Sequence, residues 1–299
     1  MTYLSTREVA DLINVTETTV KRWADEGMID CHRTLGGHRK FLMRDVARFA
    51  EQHAYPLTGR VAPPLPPRRA RALEFAVQTQ DFGRMTGLFH AEVLRANSQG
   101  IYELLSYLCK HHIPIATLAD EVIGPAMARI GDEWQQGKLE VNREHLASNA
   151  LLESLVQLHP ELHRKPAHAL SAVCACAEGD YHELGIRLVS YALETEGWAV
   201  HYLGANTPTG TLRAFVKVLS PELICLSARD AGTDDQGMSR IRSVGKSARA
   251  VNATFLVGGS FSRVLSTEEL QCDHVSSFIS GAMNYLKDRF QLKPGPRKQ

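Results

Sequence analysis

From about residue 170 to residue 260 the chain alternates between short apolar runs and longer amphipathic stretches, and few folds accommodate that rhythm. ALSAVCACA, WAVHYLGA, LICLSA and ATFLVGG have strand length, whereas ELGIRLVSYALETEG and GTLRAFVKVLS have helical spacing. A strand that is apolar throughout has to be covered on both faces, and strands separated by helices are joined in parallel through crossovers. The pattern predicts a Rossmann-like (flavodoxin-like) α/β domain with a parallel sheet over 165–291, then a disordered tail at 292–299. In such an open sheet, ligands sit beyond the carboxyl ends of the strands. Cys174 and Cys176 alternate on the first run, so they share one face and read as small core residues.

Ahead of the α/β region, LEFAVQTQDFGRMTGLFHAEVL, IYELLSYLCKHH and REHLASNALLESLVQLH carry apolar residues three and four apart. That spacing predicts four or five helices packed as a bundle over 71–164. AYPLTGRVAPPLPPRRA, residues 54–70, holds five prolines and no apolar period, the composition of a stiff spacer. Residues 1–53 therefore form a separate domain, and the chain is multidomain.

With 44% hydrophobic and 22% charged residues, the composition is globular and excludes a disordered or fibrous chain. The six cysteines include no CxxC pair, the first residues lack signal-peptide character, and no apolar run approaches the ~20 residues of a membrane span. The expectation is a cytoplasmic protein with no membrane partner. No Ser/His/Asp order, P-loop or Cys/His ligand cluster is present, so no enzyme is expected.

Charge is uneven. Residues 1–72 hold 12 Lys/Arg against 8 Asp/Glu, although the whole chain carries only +1. Ser5, with Glu8 three residues on, predicts a capping box that opens a helix ending near Ile13. A second helix, about Thr16 to Glu26, exposes Thr18, Thr19, Lys21 and Arg22, and Gly27 ends it. CHRTLGGHRKF then supplies two β-prone arms around Gly36 and Gly37, with Arg33, His38, Arg39 and Lys40 available to phosphate. Trp23 and Phe41 read as core. This is an all-α helix-turn-helix with a β-hairpin wing. The residues around Arg22 and Trp23, together with RTLGGHRKF, resemble the DNA-binding domain of the MerR family over residues 2–50. The resemblance implies double-stranded promoter DNA as partner. The long dimerisation helix of many members is replaced here by the proline spacer, so self-association has to come from elsewhere.

The strand-like run SAVCACAEG leads into Asp180-Tyr181-His182-Glu183-Leu184-Gly185, where a helix begins. A histidine there offers a ring nitrogen to a metal, Asp180 two residues earlier accepts from the other ring nitrogen, and Gly185 admits a bulky group. DxHxxG, with Ser227 in LICLSA and with Gly258 and Gly259 in FLVGGS, resembles the cobalamin-binding domain of methionine synthase and the corrinoid methyltransferase proteins. The likeness implies that His182 ligates cobalt and that Ser227, Gly258 and Gly259 line the slot for the cofactor's nucleotide tail. Arg229 stands where that family commonly has a small or apolar residue.

Within IGDEWQQGKLEVNREHLAS, Trp134 precedes Glu144 and His145 by ten and eleven residues. This spacing is similar to the light-sensing CarH group of MerR regulators, which use adenosylcobalamin. The resemblance implies that Trp134 packs on the adenosyl group, Glu144 bonds its polar edge and His145 shapes the pocket. It also implies a repressor that forms dimers or tetramers. The residue after the tryptophan is Gln135, where that pattern has a cobalt-capturing histidine. The alternatives are a light-independent sensor of cobalamin or another tetrapyrrole, and, from a different class, a corrinoid methyl carrier.

Overall fold

Chain entry into the first helix follows from one hydroxyl. Ser5 ends strand β1 (Tyr3–Ser5), and its side chain accepts from the Glu8 amide while Glu8 reaches back to the Ser5 amide. This reciprocal box starts α1 (Thr6–Ile13). Asn14, in the left-handed conformation, closes the helix, and Thr16 caps α2 (Glu17–Asp25). Strands β2 (His32–Arg33) and β3 (Arg39–Leu42) pair antiparallel, and β1 adds to the far side of β3, giving the order β1-β3-β2. Helix α3 (Met43–Gln52) follows directly. Val9, Ile13, Val20, Trp23, Phe41 and Phe49 form the core of this unit. Burying a side chain as large as Trp23 or Phe41 stabilises by roughly 1.5–3 kcal/mol, which keeps both away from solvent. β1 escapes the sequence pattern because it is only three residues long.

The computed structural model describes residues 3–34, 36–53, 55, 65–229, 235–259 and 266–292. It divides into two units, Met1–Ala62 and Pro63–Gln299. Most of the proline spacer, 56–64, and the tail from 293 lie outside the described residues.

The second unit opens with α4 (Pro67–Thr79), inside the stretch read as spacer, since a proline loses nothing at a helical position whose N–H is unpaired anyway. Then come α5 (Phe82–Val93), α6 (Ser98–Lys110) and α7 (Ile115–Leu118). α7 runs through a π-helical segment (Ala119–Ile123) into α8 (Gly124–Gln135), and α9 (Val141–Leu158) completes the bundle.

The α/β half follows as β4 (Ser171–Cys176), α10 (Leu184–Thr195), β5 (Ala199–Gly204), α11 (Thr209–Leu219), β6 (Leu223–Ser227), α12 (Asp235–Ala250), β7 (Thr254–Gly258), α13 (Thr267–Leu270), β8 (His274–Ser276) and α14 (Ile279–Arg289). The strands are all parallel in the order β5-β4-β6-β7-β8. That is the flavodoxin-like order, which reverses direction beside β4.

The pleat sorts the strand side chains. Cys174, Cys176, Cys225 and Leu256 face α10, α14 and the bundle in one continuous core. Val173, Ala175, Ile224, Leu226 and Phe255 face α11 and α12. Bundle and sheet thus share a core, which is why they form one unit.

Candidate functional site

Register aligns Cys176, Ser227, Gly258 and Ser276 in a row across the carboxyl edge of β4, β6, β7 and β8. Just beyond the row, the loop after β4 carries Asp180, which is only 1% exposed. Its carboxylate accepts from the His182 amide at 2.8 Å and the Arg229 amide at 2.7 Å, and it lies 3.1 Å from His182 Nδ1. A buried carboxylate is tolerable only with such donors. Facing it, Nδ1 has to carry the proton, which makes Nε2 the nitrogen with a lone pair for a metal. The His182 side chain is 52% exposed. The bond from Arg229 also ties the loop after β6 to the loop after β4.

Glu183 follows, accepting from the Tyr202 hydroxyl at 2.6 Å and from Arg187 at 2.9 Å. Burial opposes its charge, yet these two partners hold its carboxyl below the usual range. Burial, with Asp180 and Glu183 nearby, pushes the Cys176 thiol up to about 12. Cys176 is fully buried in the core that sheet and bundle share.

Beside this loop lies a cavity of about 320 Å³ that takes in Gly185, Ser227, Gly258 and Gly259. Leu188 of α10, Asp120 of the π-helical segment and Phe278 before α14 complete its walls. A Cβ on Gly185 would meet nothing within 4 Å, so the missing side chain opens onto the cavity. Gly259 differs: its φ is +122°, and a Cβ would stand 2.0 Å from the Ala228 carbonyl oxygen. Only glycine fits there. Asp120 accepts from the Ile279 and Ser280 amides, both at 2.8 Å, and so caps α14 from the bundle side. Sequence reading missed Asp120 and the β8 wall, because a carboxylate inside an amphipathic run gives no cue and β8 is three residues long.

Trp134 lies in the last turn of α8 and is 45% exposed; Gln135 after it ends the helix, exposed. Glu144 sits in the first turn of α9, where it accepts from Ser148 Oγ at 2.8 Å and lies 3.6 Å from His145 Nε2. Glu144 and His145 therefore meet, while Trp134 stands on the preceding helix. Among the described residues no group of three or more His, Cys, Asp or Glu side chains is arranged to hold a metal, which leaves His182 as a single-residue candidate. No described helix is long and apolar enough to cross a membrane.

In the first unit, Thr18, Lys21 and Arg22 are exposed on α2. Thr19 contributes its hydroxyl to Thr16 at 3.0 Å, and Lys21 lies 3.7 Å from Glu17. The basic hairpin is partly turned inward. Arg39 donates to Asp25 at 2.5 Å with its side chain 16% exposed, and Arg33 reaches the same oxygen at 3.3 Å. Arg39 foremost holds the Asp25 carboxyl below its usual range. His38 is exposed, while Lys40 is half-buried between its strand partners Ser5 and His32.

Known proteins match the same divisions. Residues 3–54 match a helix-turn-helix domain family, and residues 89–158 and 170–279 match two B12 binding domain families. The HTH-type transcriptional repressor CarH of Myxococcus xanthus is 28% identical over 253 residues, 78% of this chain and 82% of CarH. CarA, a repressor of the same organism, is 38% identical over 90 residues, which cover 30% of this chain but only 31% of CarA. The solved monomethylamine corrinoid protein of Methanosarcina barkeri superposes with a TM-score of 0.57 at 18% identity, covering 69% of this chain and 99% of that one, a likeness of fold. With a helix-turn-helix domain followed by a helical and then an α/β B12 binding domain, and with the CarH match over 78% of its length, this chain has the make-up of a CarH-like regulator.

Proposed function

We propose that this chain is a cobalamin-dependent, DNA-binding transcription regulator of the MerR type, acting as a repressor. The observation that carries the reading is the Asp180–His182 pair at the carboxyl edge of the sheet, beside a cavity that opens at Gly185. His182 Nε2 is the ligand for cobalt, and Asp180 fixes the tautomer that makes it one. Gly185, Ser227, Gly258 and Gly259 take the nucleotide tail. Adenosylcobalamin, when bound, supplies a light-sensitive cobalt–carbon bond. Trp134 offers the adenosyl group a flat apolar face, with Glu144 accepting from its polar edge and His145 beside them.

At the other end α2 enters the major groove through Thr18, Thr19, Lys21 and Arg22. The hairpin serves as a wing, with Arg33, His38 and Lys40 toward phosphate and Arg39 bracing it against Asp25. Ligand binding stiffens the second unit, which self-associates as a dimer or tetramer and gathers several readers on one promoter. Linking readers raises the effective concentration of each for its half-site, strengthening DNA binding without a new base contact. The protein works in the cytoplasm and is not an enzyme.

Gln135 favours a second reading, a light-independent cobalamin sensor, because an amide is a poor cobalt ligand beside imidazole. Size-exclusion elution, the absorption spectrum and promoter-DNA mobility, measured with adenosylcobalamin in the dark and after green light, decide between the two. An oligomer that binds DNA in the dark and dissociates on illumination supports the photoreceptor. Bound cofactor with light-indifferent size and DNA binding supports the sensor. Absence of any corrinoid spectrum would sink both, and corrinoid binding without DNA binding would point to a methyl carrier.

A further inference from the structure

Tyr181 stands between the Asp180 clamp and His182, and the residue is 71% exposed at the carboxyl edge of the sheet. A large aromatic in that position gains nothing from the core, yet it is not loose. Its hydroxyl accepts from Asn206 Nδ2 at 3.0 Å. Asn206 in turn sits in the loop after β5 in the left-handed region, φ 45°, a conformation that asparagine tolerates better than most residues. Asn206 Oδ1 accepts from the Gly179 amide at 2.8 Å, and the Asn206 amide donates to the Asp180 carbonyl at 2.7 Å. One residue of a neighbouring loop thereby grips the histidine loop at three successive positions, 179, 180 and 181.

The direction of the bond between Asn206 and the Tyr181 hydroxyl matters. Accepting from Asn206, the phenol keeps its own proton to donate outward, and its second lone pair can still accept. It is therefore a fixed donor and acceptor, already ordered and next to the proposed metal ligand. The rim of a corrin ring carries primary carboxamides, which have the complementary donors and acceptors. Resting on the cobalamin reading above, we propose that Tyr181 is a specificity-determining contact for the carboxamide rim of the corrinoid, and that Asn206 is the residue that positions it. This contact is separate from the tail cavity, whose lining does not include Tyr181.

The test uses the full-length protein and absorbance titrations with two probes. Cobalamin has both rim and nucleotide tail, whereas cobinamide keeps the rim and lacks the tail. Tyr181→Phe removes one hydroxyl and is expected to weaken both probes by the same factor, about five- to tenfold, the worth of one hydrogen bond. Asn206→Gly keeps the left-handed backbone while deleting the brace, and is expected to weaken both probes to a similar extent. Because Asn206 acts through Tyr181, the double variant should lose less than the product of the two single losses. Melting temperatures read alongside separate a folding defect from a lost contact. The inference is overturned if Tyr181→Phe binds both probes within twofold of the unaltered protein, or if only cobalamin is weakened. If the unaltered protein binds neither probe, the cobalamin reading itself has failed.

Discussion

The second unit presents two kinds of surface. At the sheet edge, Asp180 is buried under three donors and His182 is aimed by it, so that hydrogen bonds within the protein set the geometry. On α8 and α9 the character of the surface is the opposite: Trp134, Val141 and Leu146 present exposed apolar side chains, with the Glu144–Ser148 bond beside them. Polar ligation depends on angles and repays preorganisation, whereas an apolar face recognises by area and gains when something covers it. The sheet edge should therefore determine whether a corrinoid binds, and the helical face which alkyl form is preferred.

The largest effect expected from that contrast is at His182. His182→Ala should abolish the spectrum of cobalamin ligated by histidine, and Asp180→Ala should weaken binding by about 10–100-fold by freeing the ring's orientation. An unchanged spectrum in His182→Ala would remove it from the metal. Gly185→Val comes next. It should lower cobalamin affinity by at least about tenfold yet barely shift the melting temperature, since its Cβ meets nothing within 4 Å. Equal affinity would show that the cavity is not part of the ligand site.

Trp134→Ala should spare cobalamin binding while reducing the preference for adenosyl- over methylcobalamin by about tenfold, as expected for a lost aromatic contact. A retained preference would break the division of labour between the two surfaces.

The smallest effect concerns His90 of α5, buried with Nε2 3.5 Å from a Glu133 oxygen that also accepts from Arg129. Burial, reinforced by Arg129, holds its pKa below the ordinary value. The folded state thus prefers the neutral ring, and this stability is present above about pH 6.5 and is lost as pH falls from there through the lower folded value. His90→Gln should flatten the fall in melting temperature between about pH 7.5 and about pH 5.5. It should not flatten it completely, because burial lowers His274 as well. An unaltered slope would mean that His90 is paired well enough to ignore its burial.

Some parts of the molecule were open to reading because the signal was local. The Ser5–Glu8 box, the Gly27 stop and the four apolar strands each rest on residues adjacent in sequence, and each stands where the pattern puts it. Helix α12 was missed since its buried stripe, Gly237, Ile241, Val244, Gly245 and Ala248, is mostly small residues inside a polar stretch. The pull of Asp25 on Arg33 and Arg39 was missed because it joins residues 8 and 14 positions apart on different elements.

The linear order of residues thus determined the element types, the parallel sheet and the Asp180–His182 pair, because these depend on periodicity and short spacing. Tertiary structure decided that bundle and sheet share one core, that Asp120 caps a helix about 160 residues away, and that Gly185, Ser227, Gly258 and Gly259 open onto one cavity. Such outcomes depend on which faces are left to bury and which amides are left to pair once the strands are in register, and no local pattern encodes them.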